Sequence, residues 1–258
     1  FLIIYKGGIQ IKSMHGFLGV NELPEIIGLI LTYLTVIVII NSFNLIDGVD
    51  GLAAGLGIFT TLTFGMYFYV AAHAEYAALA FAMCGSLLAF LIFNRSPARI
   101  FMGDTGSLLI GLINAILVVQ FINIAGSPGA LVPFPASPAI AIAILIIPLF
   151  DTLRVFSIRI FNRRSPFSPD RNHIHHILLD RGMSHKAVSF VLIVVNIFFV
   201  AVAYLLSFVS INILIPVLIT LAFGGFTLVY LRKPRLMVVA TADNEDILQL
   251  TKPSRILP

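Results

Sequence analysis

From Phe1 to about residue 235 the chain is a series of long apolar runs separated by short polar patches, and run length is its dominant signal. A stretch of ~20 apolar residues crosses a hydrocarbon core ~30 Å thick. By that measure residues 25–46, 51–72, 76–94, 106–125, 138–153, 187–207 and 211–231 are candidate spans, and the opening "FLIIY" looks like the tail of another. The fifth has ambiguous ends, because "GSPGALVPFPASP" precedes it and Pro148 interrupts it. Backbone in lipid must satisfy its own hydrogen bonds, so continuous runs of this length read as helices rather than barrel strands. The predicted fold is all-α: a polytopic transmembrane helical bundle of about seven full spans plus an N-terminal helix stub. It occupies residues 1–235 as one integral membrane domain, and 236–258 form a moderately polar cytoplasmic tail without a readable motif.

Composition agrees. Hydrophobic residues are 59% of 258 and charged residues 11%, and the mean hydropathy is +1.03, which excludes a soluble domain. The single Cys84, inside an apolar run, excludes a disulfide framework or thiolate metal cluster. Alternating the spans places the segments 47–50, 95–105, 154–186 and 232–258 on one side, with 14 of the 16 Lys and Arg residues; only Lys6 and Lys12 lie on the other. That asymmetry makes the first side cytoplasmic, and the expected location of the bundle is the cell's inner (plasma) membrane. The net charge of +4 is therefore a topology signal and not a nucleic-acid surface. A first residue of Phe, with no cleavable signal before it, is expected of a fragment lacking its N-terminal part.

The same alternation gathers the chemistry-bearing residues on the basic side. No predicted span carries a charge at its centre, which argues for chemistry at the membrane surface and against a transport pathway. In "NSFNLIDGVDGLAAG" (41–55), Asn44, Asp47 and Asp50 recur every three residues and would share a face of a helical turn. Hard oxygen groups in such a row suit Mg²⁺, although DG pairs also make plain turns and cap helices. "FMGDTGSLLIG" (101–111) puts Asp104 at the start of a span, either as an N-cap or at a Gly-rich phosphate or metal-phosphate site. "RNHIHH" places His173, His175 and His176 beside Arg171, a set that suits anionic phosphate better than zinc, since there is neither an HExxH pattern nor a thiolate partner.

These three motifs, in this order and separated by apolar spans, resemble the polyprenyl-phosphate N-acetylhexosamine-1-phosphate transferases of glycosyltransferase family 4. The nearest branch looks like the bacterial undecaprenyl-phosphate N-acetylglucosaminyl 1-phosphate transferases, with phospho-N-acetylmuramoyl-pentapeptide transferase more distant. The resemblance implies transfer of a sugar 1-phosphate from a UDP-N-acetylhexosamine donor to membrane polyprenyl phosphate, releasing UMP and starting a cell-envelope polysaccharide such as lipopolysaccharide or teichoic acid. It implies Mg²⁺, with Mn²⁺ as an alternative, and a homodimer is what the wider family suggests. Carried over by residue, Asp104 matches the magnesium-binding aspartate, and Asn44 the asparagine beside metal and nucleotide. Asp47 and Asp50 match the aspartates of the nucleotide and active-site pocket, so Asp47, Asp50 and Asp104 form the implied catalytic set. His173, His175 and His176 match the motif that holds the donor's phosphates, with Arg171 assisting. The "HIHH" form favours N-acetylglucosamine.

One departure stands out. Members of the family also carry two adjacent aspartates at the cytoplasmic end of an earlier helix, and no DD pair occurs in these 258 residues. "FLIIYKGG" resembles the helix after that motif, so the pair is expected upstream of Phe1 and this stretch alone is expected to fall short of catalysis. Two other readings compete. A CDP-alcohol phosphotransferase needs a DGxxAR segment, but Asp47 is followed by "GVDGLAAG". A secondary transporter is expected to carry ionisable residues near the midplane, and the predicted spans have none at their centres.

Overall fold

The computed structural model describes residues 2–163, 165 and 172–231. A short α1 (Leu2–Lys6) leads into a two-stranded antiparallel hairpin, β1 (Ser13–Phe17) and β2 (Val20–Glu22), paired Ser13 to Glu22 and Phe17 to Val20 around an irregular register. Helices α2 (Glu25–Ile46), α3 (Leu52–Val70), α4 (Ala74–Asn94) and α5 (Gly103–Ala125) follow. They are succeeded by α6 (Ser137–Ile144), α7 (Ile146–Phe161), the single turn and a half of α8 (Ile174–Leu179), α9 (His185–Leu205) and α10 (Ile211–Leu231). Six of these helices are long and apolar enough to cross a membrane, and α6 with α7 makes a seventh candidate bent by 84°. The protein is a multi-pass membrane helical bundle, with the hairpin as an addition that apolar run length does not announce.

The spans are apolar on every side, so burial and not hydrophobicity separates their faces. In α2 the buried positions Gly28, Thr32, Val36, Ile39, Phe43 and Ile46 follow helical spacing, while Ile26, Ile30, Leu34 and Ile37 face outward. Helix α2 packs chiefly on α5, and α3 on α4. Close approach of the first pair depends on Gly111: a methyl group there would lie 2.6 Å from the Cα of Ile40. Removing that side chain lets the two backbones meet and brings the C-terminal end of α2 beside the N-terminal end of α5.

Between α6 and α7 the helix breaks at Leu145, three residues before Pro148, which has no N–H to offer a continuous ladder. Asn196 of α9, fully buried, repairs the gap: its Nδ2 donates to the Ile144 carbonyl (2.8 Å) and its Oδ1 accepts from the Ile147 N–H (3.2 Å). Freed backbone groups at membrane depth need such a partner. At one end of the bundle His15, Gly16 and Phe134 meet Ser207, Ser210 and Asn212 around one cavity. The opposite end carries the two acid motifs and the described part of the histidine motif.

Candidate active site

The end of α2, the start of α5, the end of α4 and the start of α9 enclose a cavity of about 370 Å³ lined by Asn44, Asp47, Gly48, Val49, Asp50, Asn94, Phe101, Met102, Gly103, Asp104 and His185. The first two motifs thus converge as the sequence suggests, but not as one helical row. Helix α2 stops at Ile46, Asp47 is its C-cap, and Gly51, at φ +75°, enters α3 as a left-handed N-cap. A loop rather than a turn of helix therefore presents Asp47 and Asp50, because the DG steps favour a turn over continued helix. Asp104 lies in the first turn of α5 and makes no side-chain cap.

Asn44, Asp50 and Asn94 are fixed by contacts across elements. Asn44 Nδ2 donates to Asp104 Oδ1 (3.2 Å) and to Ser107 Oγ (3.0 Å), tying α2 to α5. Asp50 is held by its backbone as well as its carboxylate. Its N–H donates to His185 Nδ1 (3.3 Å), its carbonyl accepts from Ser189 Oγ (2.8 Å), and Oδ2 accepts from the Ala98 N–H (3.3 Å). Asn94 joins two loops, accepting from Gly51 N–H (3.0 Å) and donating to the Ile100 carbonyl (2.9 Å). Burial, and then the neighbouring Asp104 charge, push the Asp47 carboxyl up to about 6.

The histidine segment sits beside this cavity and is organised by Asp151. That buried carboxylate accepts from Arg154 Nη2 (2.8 Å) and Ile174 N–H (2.9 Å) through Oδ1, and its Oδ2 lies 2.9 Å from His173 Nδ1. Arg154 also donates to the Asn172 carbonyl and lies over the Phe226 ring (4.3 Å). His173 stacks on His175 (centroids 5.6 Å apart, 14° between planes), and His175 meets His176 at 4.3 Å. His175 is 1% exposed and its ring lies directly over Gly48, where a methyl group would come within 2.5 Å of Nε2. Burial, with His176 next in weight, pushes its pKa down to about 3 against the opposing pull of Asp151. His173 is thus committed to Asp151, His175 abuts the acid loop, and Arg171 lies outside the described residues.

Asn94, His185 and Ser189 were not singled out by sequence. Asn94 ends a span and His185 begins one on the acidic side, which is their one sequence signal. Asp151 carried no motif, and its pairing with His173 spans 22 residues.

Metal fits the donor set. Three carboxylates share the cavity, and no Lys or Arg is among its described lining residues. Asn44 spends its Nδ2 on Asp104 and Ser107, which leaves its amide oxygen to ligate. Among the described residues no three His, Cys, Asp or Glu side chains cage an ion by themselves. That suits Mg²⁺, which takes one or two protein carboxylates and fills its octahedron with phosphate oxygens and water.

Residues 1–122 match the sequence model of "Glycosyl transferase family 4". Over 169 residues the chain is 38% identical to a Bacillus subtilis (strain 168) protein named "Probable undecaprenyl-phosphate N-acetylglucosaminyl 1-phosphate transferase", covering 66% of this chain and 45% of the relative. It is 36% identical over 170 residues to the "Undecaprenyl-phosphate alpha-N-acetylglucosaminyl 1-phosphate transferase" of Escherichia coli (strain K12), covering 64% and 44%. A Mycolicibacterium smegmatis "Decaprenyl-phosphate N-acetylglucosaminephosphotransferase" is 36% identical over 191 residues, covering 66% and 45%. The chain spans about half the length of these curated relatives. With its three motifs on a multi-pass helical bundle, the chain belongs to glycosyl transferase family 4.

Proposed function

We propose that the protein transfers N-acetylhexosamine 1-phosphate, with N-acetylglucosamine as the sugar, from a UDP donor to undecaprenyl phosphate at the cytoplasmic face of the inner membrane. The observation that carries this reading is the convergence of Asn44, Asp47, Asp50 and Asp104 on one cavity at the end of the apolar spans, where a soluble nucleotide and a lipid phosphate can both arrive. The names of the relatives point to the same sugar phosphate and the same lipid acceptor. In the reaction a phosphate oxygen of the lipid attacks the β-phosphorus of the donor, the bond to the α-phosphate oxygen breaks, and UMP departs. Asn44 and Asp104 would hold Mg²⁺, or Mn²⁺, which supplies charge neutralisation to the pyrophosphate. Asp47 and Asp50 extend the acidic wall, and their loop is fixed from both sides by Asn94, Ser189 and His175. His173, His175, His176 and Arg171 complete the donor-phosphate side, with Asp151 holding the histidines in place. The bundle to residue 235 is the transferase domain, and 236–258 are an appended tail.

The test is UMP release from UDP-N-acetylglucosamine with undecaprenyl phosphate, using protein expressed from its complete reading frame. Asp104→Ala should lower the rate by roughly 10²–10³-fold, as for loss of one electrostatic anchor of a transition state. An undiminished rate rejects the site; wild-type protein that releases no UMP rejects the function.

A further inference from the structure

The histidine that lines the acidic cavity is not one of the three in the motif. His173 is buried against Asp151 and His175 against Gly48, whereas His185 is among the cavity's lining residues and its side chain is 42% exposed. It stands at the first position of α9, after Ser184, whose hydroxyl accepts from the Ala187 N–H. Four residues on, Ser189 grips the Asp50 carbonyl, so two side chains on one face of α9 are mounted on the same loop residue.

The ring's hydrogen bonding determines what it offers. Nδ1 accepts the Asp50 N–H at 3.3 Å and lies 3.5 Å from Asp50 Oδ2. In the neutral ring an accepting Nδ1 leaves the proton on Nε2, and in the charged ring both nitrogens carry one. Nε2 is therefore an N–H donor in either state. Among the described residues Nε2 makes no hydrogen bond, and the cavity that His185 lines holds three carboxylates and, among its described lining residues, no Lys or Arg. With Nδ1 engaged by Asp50, the Nε2–H is left to meet an anionic oxygen brought in by a ligand.

We propose that His185 is a binding residue for a phosphate group of the nucleotide donor, with Nε2–H as the donor and Asp50 as the support that sets the ring's tautomer. This rests on the donor reading above, and it adds His185 to the groups that hold the donor's phosphates.

Calorimetric binding of UDP and of uridine to the detergent-purified protein in magnesium buffer tests it. His185→Phe keeps a planar ring and removes the donor; UDP should bind roughly tenfold or more weakly, as for loss of a hydrogen bond to a charged group, with uridine unchanged. His185→Gln keeps an acceptor for Asp50 and an N–H donor, and should retain UDP binding within about threefold. Equal weakening of UDP and uridine in His185→Phe, or unchanged UDP binding, overturns the inference. Wild-type protein that binds neither ligand instead overturns the nucleotide-donor reading.

Discussion

Two aspartate–histidine pairs stand at the same end of the bundle. Asp151 and His173 are 2.9 Å apart with side chains 3% and 5% exposed, and Asp50 and His185 are 3.5 Å apart at 17% and 42%. The first is closed: Asp151 also receives Arg154 and a backbone N–H, so its carboxylate is committed within the fold. The second is looser and more exposed, and its carboxylate shares a cavity with two others. Residue type does not separate them; burial and the count of committed hydrogen-bond donors do. The closed pair has the character of a clamp, and the open one that of a place where charge is handled.

Replacing each member should expose that contrast. Asp151→Ala leaves Arg154 charged, buried and without its carboxylate, and should cost about 3–5 kcal/mol, seen as a large fall in the unfolding temperature in detergent. A fall no greater than that of a surface mutant would deny the clamp. Gly48→Ala drives a methyl group into the His175 ring and should cost ~1–3 kcal/mol by overpacking, with lost transfer activity as the segment lifts from the acid loop. Unchanged activity would detach the histidine segment from the site.

Acid should act on the closed region too. His175 is held neutral in the fold, its pKa lowered to about 3, while the unfolded chain takes up its proton near 6.5. Its contribution is complete above pH 6.5 and is lost as pH falls towards 3, about 2 kcal/mol of it by pH 5. Thermal unfolding at pH 7 and 5, compared between wild type and His175→Gln, measures that slope; identical slopes would mean that the ring charges freely. The smallest effect belongs to the open pair. Asp50→Ala gives up one 3.3 Å hydrogen bond from Ala98 and should cost about 1 kcal/mol in stability while transfer collapses. Destabilisation matching Asp151→Ala would erase the distinction.

The spans were readable because the membrane imposes a length on them: 25–46, 74–94 and 211–231 each lie close to an apolar run. Which face of each is buried was not, since Ile26 and Val36 are alike in hydropathy and differ only in what packs against them. The hairpin was invisible because "SMHGFLGVNE" has no clean alternation of apolar and polar residues. At the site, the motifs announced Asn44, Asp47, Asp50 and Asp104, each carrying its oxygen next to glycine or at a span end. Asp151 could be read only with His173 in view, and His185 only once α9 was seen to start against Asp50.

The break repaired by Asn196 has a consequence for the clamp. Asp151 lies seven residues beyond Ile144, a distance of roughly 10 Å along a continuous helix axis. Turning that arm through 84° swings the carboxylate sideways by a comparable distance instead of carrying it farther along the span. A single amide in a neighbouring helix thus works as an elbow joint, and its angle decides whether the arm's aspartate reaches the histidines at all.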